Sequence, residues 1–581
     1  MKQDTLEYTK FTPTKIAPTD GIRLVKSKYY ICSNECTFNM NVGLFFDGTD
    51  NNMYRDRGNL RHTNVARLFD AYLDKPNDGL YPYYIPGVGT IFEEIGEYEE
   101  QPKTGGGLAW GCEERILFGL LMVLNSIHVR AFVKPMFDRN QIRVLCTRSV
   151  VNDEKEKVYL RPLGIEYGLK TDNTPRALLK KLVEQLEQKL KDPSNKVKVG
   201  ECMVDVFGFS RGAAQARVFC TWLNELLTDG KLAGVIVQIR FVGLFDTVSS
   251  YGLIGDKLAN RTSGHSGWAK PTNLQMKKDY AHYCVHMVAM HEFRSHFPLD
   301  TIEVDGEPPS NSREFAYPGS HSDVGGGYAP GDLGIAVGST PREGDALKLS
   351  QIALNHMYAC AVAANVPMTK EHAIDDDGYN PFVIDSRVTQ AHANFLSESG
   401  LSPKLMHEWA QPYLTWRWKV RNEYAQIVEQ VKNATKIDKD GIRDRDLMLA
   451  ANKKFISDSR FIDTNPEKSK ALFSLGQKDF SAYKTKMMNA DRISTKETGM
   501  PQNLPKLDPE APMILDLVIK NAPLISPSLC RFFDQFVHDS YAGFSKSLME
   551  STGYWRYRKA FEGDDVALIA TDETNHRRNV G

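Results

Sequence analysis

The chain has 581 residues, which at roughly 150 per domain points to three or four domains, or to one large domain with insertions plus a second. Hydrophobic residues at 41%, charged at 25% and aromatic at 10% are ordinary globular values and exclude collagen-like, coiled-coil and disordered classes. The 72 Lys and Arg against 73 Asp and Glu give a formal net charge of −1, so the basic excess that nucleic-acid binding needs is missing.

Residues 1–37 are polar, carry Pro13, Pro18 and Gly21, and read as an N-terminal arm. The opening stretch MKQDTLEYTKFTPTK has no apolar core, so a secretory signal is not expected and synthesis in the cytoplasm is. Cys32 and Cys36 form the only close pair among nine dispersed cysteines, a pattern of small buried hydrophobes rather than a disulfide framework or a zinc site. From 38 to 340 short apolar runs alternate with helical patterns. The strand-like runs are Val42–Phe46, Tyr83–Ile85, Met203–Phe207, Ile239–Phe245, Cys284–Met290 and Phe315–Tyr317. Between them a helix is expected from Glu113 to Ile127, whose apolar run Ile116–Leu124 falls short of the roughly 20 residues of a membrane span. A second opens at Thr174-Pro175 and puts Leu178, Leu179, Leu182, Val183, Leu186 and Leu190 on one face. A third follows Ser210. This is an α/β pattern: a mostly parallel sheet covered by helices, with an insertion near 131–200. Residues 341–581 are helix-rich and are expected to pack on or cap the core, with helices at Ala346–Ala364, Lys404–Ala434, Asp446–Ile456 and Ala511–Ile519. Trp409, Tyr413, Trp416 and Trp418 read as a core face, with a lipid-facing belt as the sharper alternative. Asn433–Gly441 and Thr464–Leu507 are polar and read as loops.

Gly208-Phe209-Ser210-Arg211-Gly212 fits G-x-S-x-G, preceded by the strand Val204–Phe207 and followed by small residues opening a helix. That context is the nucleophile elbow, a tight strand-to-helix turn that presents the serine hydroxyl above the sheet. A serine is inert without a base and an orienting acid, expected downstream as acid and then histidine. Asp246 ends the strand Phe241–Phe245, where a triad acid belongs; Asp256, Asp323 and Glu292 are alternatives. His321 lies in the Gly-rich loop Tyr317–Tyr328 and is the candidate base. Backbone N–H groups of Arg211, after the nucleophile, and of Gly48 and Thr49, at the first strand end, are candidate oxyanion donors. Asp47 beside them reads otherwise as a phosphate- or metal-binding carboxylate or a plain turn. His282, His286, His291 and His296 follow a strand pattern and not a zinc helix, so no metal and no cofactor is expected. Arg211 and Arg217 are candidates for attracting a phosphate head group, with a salt-bridge role as the plainer reading.

Four segments in order resemble a known family: Phe45–Thr49, Gly208–Ala213, Leu244–Val248 and Pro318–Tyr328. They are similar to the signature segments of the type VI secretion lipase effectors of the G-x-S-x-G class, within an α/β-hydrolase group. Val537–Ser540 and Gly553–Arg558 resemble the C-terminal segments of that family, and within Val537–Ser540 His538 is an alternative base. His291 departs from the acidic pair the family often carries before the arginine at Arg294. The resemblance implies an α/β-hydrolase core and a phospholipase A that is toxic to competing bacteria. It also implies delivery by a contractile machine to the target cell's periplasm. The partners it implies are a VgrG-like spike protein, a cognate immunity protein and, peripherally, a phospholipid membrane surface. A soluble carboxylesterase acting on small esters and a non-catalytic secretion-associated interaction protein are the competing expectations.

Overall fold

Strands buried on both faces lose the in–out alternation of a half-exposed sheet and read as unbroken apolar runs, and the longest runs of this chain do so. In the computed structural model they form six parallel strands: β1 (Thr37–Phe46), β2 (Leu80–Ile85), β3 (Lys198–Phe209), β4 (Val235–Phe245), β5 (Tyr283–Ala289) and β6 (Ser312–Tyr317). The strand order is β2-β1-β3-β4-β5-β6, with the short strand Lys231–Leu232 antiparallel on β4. The structure describes residues 10–11, 37–100, 111–147, 154–165, 175–192, 195, 197–249, 267–269, 271–294, 297–304, 308–400, 404–437, 441–464, 511–520, 524–543, 553–556, 558 and 560–561. Cys32, Cys36, Asp256, His296, most of the N-terminal arm and nearly all of the polar stretch 464–507 lie outside them.

Helices cover both faces. α1 (Asn64–Ala71) lies on one; α2 (Cys112–Phe132), α3 (Pro175–Lys191) and α4 (Arg211–Leu226) lie on the other. The insertion near 131–200 holds α3 and the shorter helices Arg139–Cys146 and Glu154–Leu160. After β6 come α5 (His321–Gly325), α6 (Ser350–Ala363), α7 (Met406–Val420), α8 (Asp444–Thr464), α9 (Ala511–Ile519) and α10 (Pro527–Phe536). Buried residues of α6 to α10 join the α1 side in one continuous apolar cluster, so the C-terminal half thickens one layer of the sandwich. Alternate positions of β1 serve the two sides: Phe45 stacks on Phe207 at 5.0 Å in this cluster, while Val42, Leu44 and Phe46 face α2 and α4.

Two of the expected helices are divided. The helix expected over Lys404–Ala434 is three pieces: α7, Tyr424–Ile427 and Glu429–Asn433. Val428 is extended (φ −77°, ψ 119°), and Asp534 of α10 accepts the N–H groups of Glu429 (3.0 Å) and Gln430 (3.3 Å), a tertiary cap that restarts the helix. Ala346–Ala364 likewise splits between Pro341–Ala346 and α6. The aromatic residues of α7 form the expected core face and not the alternative lipid belt: Trp409, Tyr413 and Trp416 are buried against Phe293, Phe395 and Phe533, and Trp418 packs edge-on to Trp555. The apolar run Ile116–Leu124 is buried as well, although its helix α2, at 21 residues, is long and apolar enough to cross a membrane. Its most apolar window is 83% buried inside the fold, as in a core helix.

A buried ion cluster ties α1 to the segment that precedes α6. Arg67 of α1 meets both oxygens of Asp345 at 2.7 Å, and Lys348 Nζ lies 2.6 Å from the same carboxylate. One anion thus serves two buried cations. Asp345→Asn is expected to cost about 3–5 kcal/mol of unfolding free energy, because both cations lose their counter-charge away from water. Denaturant unfolding measures this, and a loss under about 1 kcal/mol contradicts it.

Candidate active site

In an open parallel sheet the crevice forms at the carboxyl ends of the strands, where the strand order reverses. Here that point lies between β1 and β3, and each ends in a residue singled out above: Asp47 follows β1, and Ser210 follows β3.

Ser210 has φ 57° and ψ −124°, a conformation that L-residues avoid and that costs of order 1–3 kcal/mol. The turn is held by the Ser210 N–H donating to the Phe245 carbonyl (2.9 Å) and by the Val248 N–H donating to the Ser210 carbonyl (3.2 Å). These two bonds bring the end of β3 against the end of β4, next to Asp246. The helix behind the serine packs so closely that a Cβ on Gly212 would stand 2.3 Å from the carbonyl oxygens of Phe46 and Asp47. Small residues around Ser210 are therefore a requirement of contact.

Asp246 is fully buried and also has a left-handed backbone, φ 44°. Its carboxylate accepts His321 Nδ1–H at 2.5 Å, the Ala289 N–H at 2.8 Å, and two bonds from Arg558 at 2.7 Å each. Burial pushes its carboxyl up, but the Arg558 guanidinium and the His321 bond outweigh burial and hold it far below the usual carboxylate range. The His321 imidazole lies against the Phe209 ring, one residue before Ser210, with centroids 4.6 Å apart. A Cβ on Gly325 would stand 2.0 Å from that Phe209 ring, so the glycines after His321 let its loop close on the elbow. Burial lowers the His321 pKa, and Arg294 and Arg558 add to the effect against the pull of Asp246. The imidazole is thus neutral near pH 7, with Nδ1–H committed to Asp246 and Nε2 left as the basic nitrogen.

The other candidates are placed elsewhere. Asp323 accepts the Ser320 N–H and hydroxyl, each at 2.9 Å, and pairs with His538 Nδ1 at 2.5 Å, so it meets the alternative base and not the His321 ring. His538 stacks on Tyr328 at 3.7 Å. Glu292 is turned to Arg294 by two bonds of 2.8 and 2.9 Å and reaches His321 only at its backbone N–H, 3.3 Å. Asp47 accepts the Thr63 hydroxyl (2.7 Å), the Tyr84 hydroxyl (2.5 Å) and the Gly48 N–H (2.8 Å). Burial raises its pKa to about 6. The Gly48 N–H is thereby taken, which removes it as an oxyanion donor. The Thr49 N–H has no acceptor among the described residues, and Arg211 is the first residue of α4. Arg217 does not face a head group: it is buried and donates to the carbonyls of Leu274, Asp300 and Thr301. His286 bonds Glu314 and the Thr247 N–H. No group of three His, Cys, Asp or Glu among the described residues is arranged to hold a metal.

Arg558 is the residue whose site role sequence reasoning missed. It sits 312 positions from Asp246, and only its place in the segment Gly553–Arg558 marked it. His291 accepts the Gly319 N–H at Nδ1 (2.8 Å) and meets the Trp409 carbonyl at Nε2 (3.2 Å), fastening the base loop to α7.

Burial lowers the His291 pKa from 6.5 to about 4. Between those values the unfolded chain binds a proton that the folded chain refuses, so this residue makes stability fall as pH drops through the window. His291→Gln is expected to reduce the loss of unfolding free energy between pH 7 and pH 4 by roughly 3 kcal/mol. Urea unfolding of both proteins at the two pH values measures it, and an unchanged difference counts against it.

Residues 229–360 match the family model described as "T6SS, Phospholipase effector Tle1-like, catalytic domain", a span that includes Asp246 and His321 and starts after Ser210. A search of curated proteins finds no match. The crystal structure of an uncharacterized protein from Pseudomonas aeruginosa is similar in fold, with a TM-score of 0.66 and 24% identity over 91% of this chain and 80% of that one. The structure of the Tle1 effector bound to the VgrG spike from the type 6 secretion system aligns at 20% identity over 56% of this chain and 58% of that one, with a TM-score of 0.28.

Proposed function

We propose that this chain, whose residues 229–360 match the model of a Tle1-like catalytic domain of type VI secretion phospholipase effectors, is a serine phospholipase A acting through Ser210, His321 and Asp246. The observation that carries this reading is the 2.5 Å bond from His321 Nδ1 to Asp246, made by an imidazole that lies on the elbow residue Phe209.

The chemistry follows from that arrangement. With Nδ1–H held by Asp246, Nε2 of His321 takes the proton of Ser210 as Oγ attacks an acyl ester carbonyl. Asp246 fixes the tautomer and stabilises the imidazolium without taking the proton itself. The N–H groups of Arg211 and Thr49 receive the oxyanion, and loss of one such donor typically costs about 100- to 1,000-fold in rate. His321 then protonates the leaving lysophospholipid alcohol, and water, activated by the same Nε2, releases the fatty acid.

The substrate is a phospholipid met at a membrane surface. With the α7 aromatics and the α2 run buried, contact falls to exposed side chains by the Thr49 turn. Tyr54, Ile91 and Tyr98 are 71, 40 and 62% exposed, and the Asn52 side chain bonds the Ile91 carbonyl (3.1 Å). The family match supports export by a type VI machine. Carriage on a VgrG-like spike, action in the periplasm of the target cell and a cognate immunity protein in the producer complete the reading.

Ser210→Ala is expected to abolish hydrolysis of phospholipid vesicles and labelling by a fluorophosphonate, with thermal unfolding unchanged. Residual activity above a few per cent in a folded variant overturns the nucleophile. Directed to the periplasm by an added signal peptide, the wild type is expected to be toxic and the Ser210→Ala variant harmless. Preference for short soluble esters over vesicles points instead to a carboxylesterase. Because His321 is held neutral, the acid limb of kcat/KM is expected below the ordinary imidazole value of 6.5. A limb above that value contradicts the assigned environment of the base.

A further inference from the structure

The polar groups around Asp246 exceed what a histidine alone needs. Arg558 is 4% exposed and reaches the site from the far C-terminal segment. Its two terminal nitrogens donate to the two oxygens of Asp246, Nη1 to Oδ1 and Nη2 to Oδ2, both at 2.7 Å. Its remaining contacts fix the guanidinium plane: Nε donates to the Phe297 carbonyl (2.8 Å) and Nη1 also to the Ala289 carbonyl (2.9 Å). Ala289 in turn donates its N–H to Asp246 Oδ1. A planar fork held at both ends matches a carboxylate with little rotational freedom on either side.

We infer that Arg558 is a positioning residue for the acid of the triad, so that the C-terminal segment completes an active site whose other members follow the ends of β3, β4 and β6. This inference rests on the serine-hydrolase reading above. Arg558 faces no reacting atom and acts through Asp246. The fork sets the rotation of the carboxylate so that Oδ2 points to His321 Nδ1. Its charge compensates an anion with no access to water, which otherwise is relieved by drawing a proton onto the nearby imidazole. His321 sits beside Arg294 and Arg558 as well as Asp246. Glu292 neutralises Arg294, so Arg558 is the cation that balances Asp246 directly.

The preceding segment Val537–Ser540 reaches the base loop at two other points. His538 pairs with Asp323, which caps α5 at Ser320, and the Ser540 hydroxyl donates to Glu292 (3.1 Å), the acceptor of the His321 N–H. Loss of Arg558 therefore leaves the loop anchored and changes chiefly the acid.

The test compares full-length wild type, Arg558→Lys and Arg558→Met by the pH dependence of phospholipid hydrolysis and of fluorophosphonate labelling of Ser210. Removing the charge is expected to lower kcat about 10- to 100-fold, to leave KM within about twofold, and to move the acid limb of kcat/KM upward by about one pH unit. Arg558→Lys keeps the charge and loses the fork, and is expected to retain the wild-type acid limb with kcat reduced several-fold. A folded Arg558→Met with wild-type kcat and acid limb overturns the inference. If that variant does not fold, a folded Arg558→Lys with undiminished kcat overturns it equally. A wild type that neither hydrolyses phospholipid nor labels at Ser210 removes the serine-hydrolase reading first, and this inference with it.

Discussion

A fully buried carboxylate is tolerable only when donors and counter-charge replace the water it has lost, and Asp246 collects both from three separate parts of the chain. The end of β5 supplies a backbone N–H, the loop after β6 supplies an imidazole, and the C-terminal segment supplies a guanidinium. Each donor is set by the element that carries it, so the ionised acid can be satisfied only once the sheet, the Gly-rich loop and the C-terminus have all reached their places. The acid is thus the point where distant segments are made to agree on one geometry.

Local strain accompanies that arrangement. Ser210 and Asp246 both hold left-handed backbone at adjacent strand ends, and Ser210 is locked by bonds to Phe245 and Val248 on either side of the acid. Such conformations persist when the surroundings over-determine them, and here the surroundings are a parallel sheet with a helix pressed against the carbonyls that end β1. Closeness serves chemistry and fold at once. The contact that forbids a side chain at Gly212 also brings the start of α4 against the end of β1.

Buried polar groups are the cement of the larger frame. Arg67 and Lys348 share Asp345, Asp205 meets Arg240 and Tyr72, and Asp47 gathers Thr63, Tyr84 and the Gly48 N–H. Each cluster joins elements distant in sequence, and none survives the loss of one partner cheaply. The C-terminal half belongs to this frame through its apolar core as well, which runs unbroken from Phe45 to Trp555.

Local order along the chain determined a good deal. Apolar runs bounded by turns give the six strands, G-x-S-x-G between a strand and small residues gives the elbow, and an acid after Phe245 gives a strand-end carboxylate. Each of these is a relation between near neighbours, and sequence records such relations directly. What only the tertiary structure decided are relations across distance. Asp246 is the first choice of acid in sequence because it ends a strand, with Asp323 and Glu292 among the alternatives, and their partners differ only in space: one meets the His321 ring, one meets His538 and one meets Arg294. The Gly48 N–H is lost to Asp47 for a reason that depends on how the side chain turns back, and the long helix after Lys404 is broken by a cap from Asp534 about a hundred residues on. The aromatics of α7 read as a core face with a lipid face left as the alternative, because periodicity shows that a face is apolar and not what covers it. Arg558 lies at the limit of this logic. A guanidinium near the end of the chain carries no local mark of the carboxylate it will hold, because that partnership exists only where β4, β5 and the C-terminal segment come together in space.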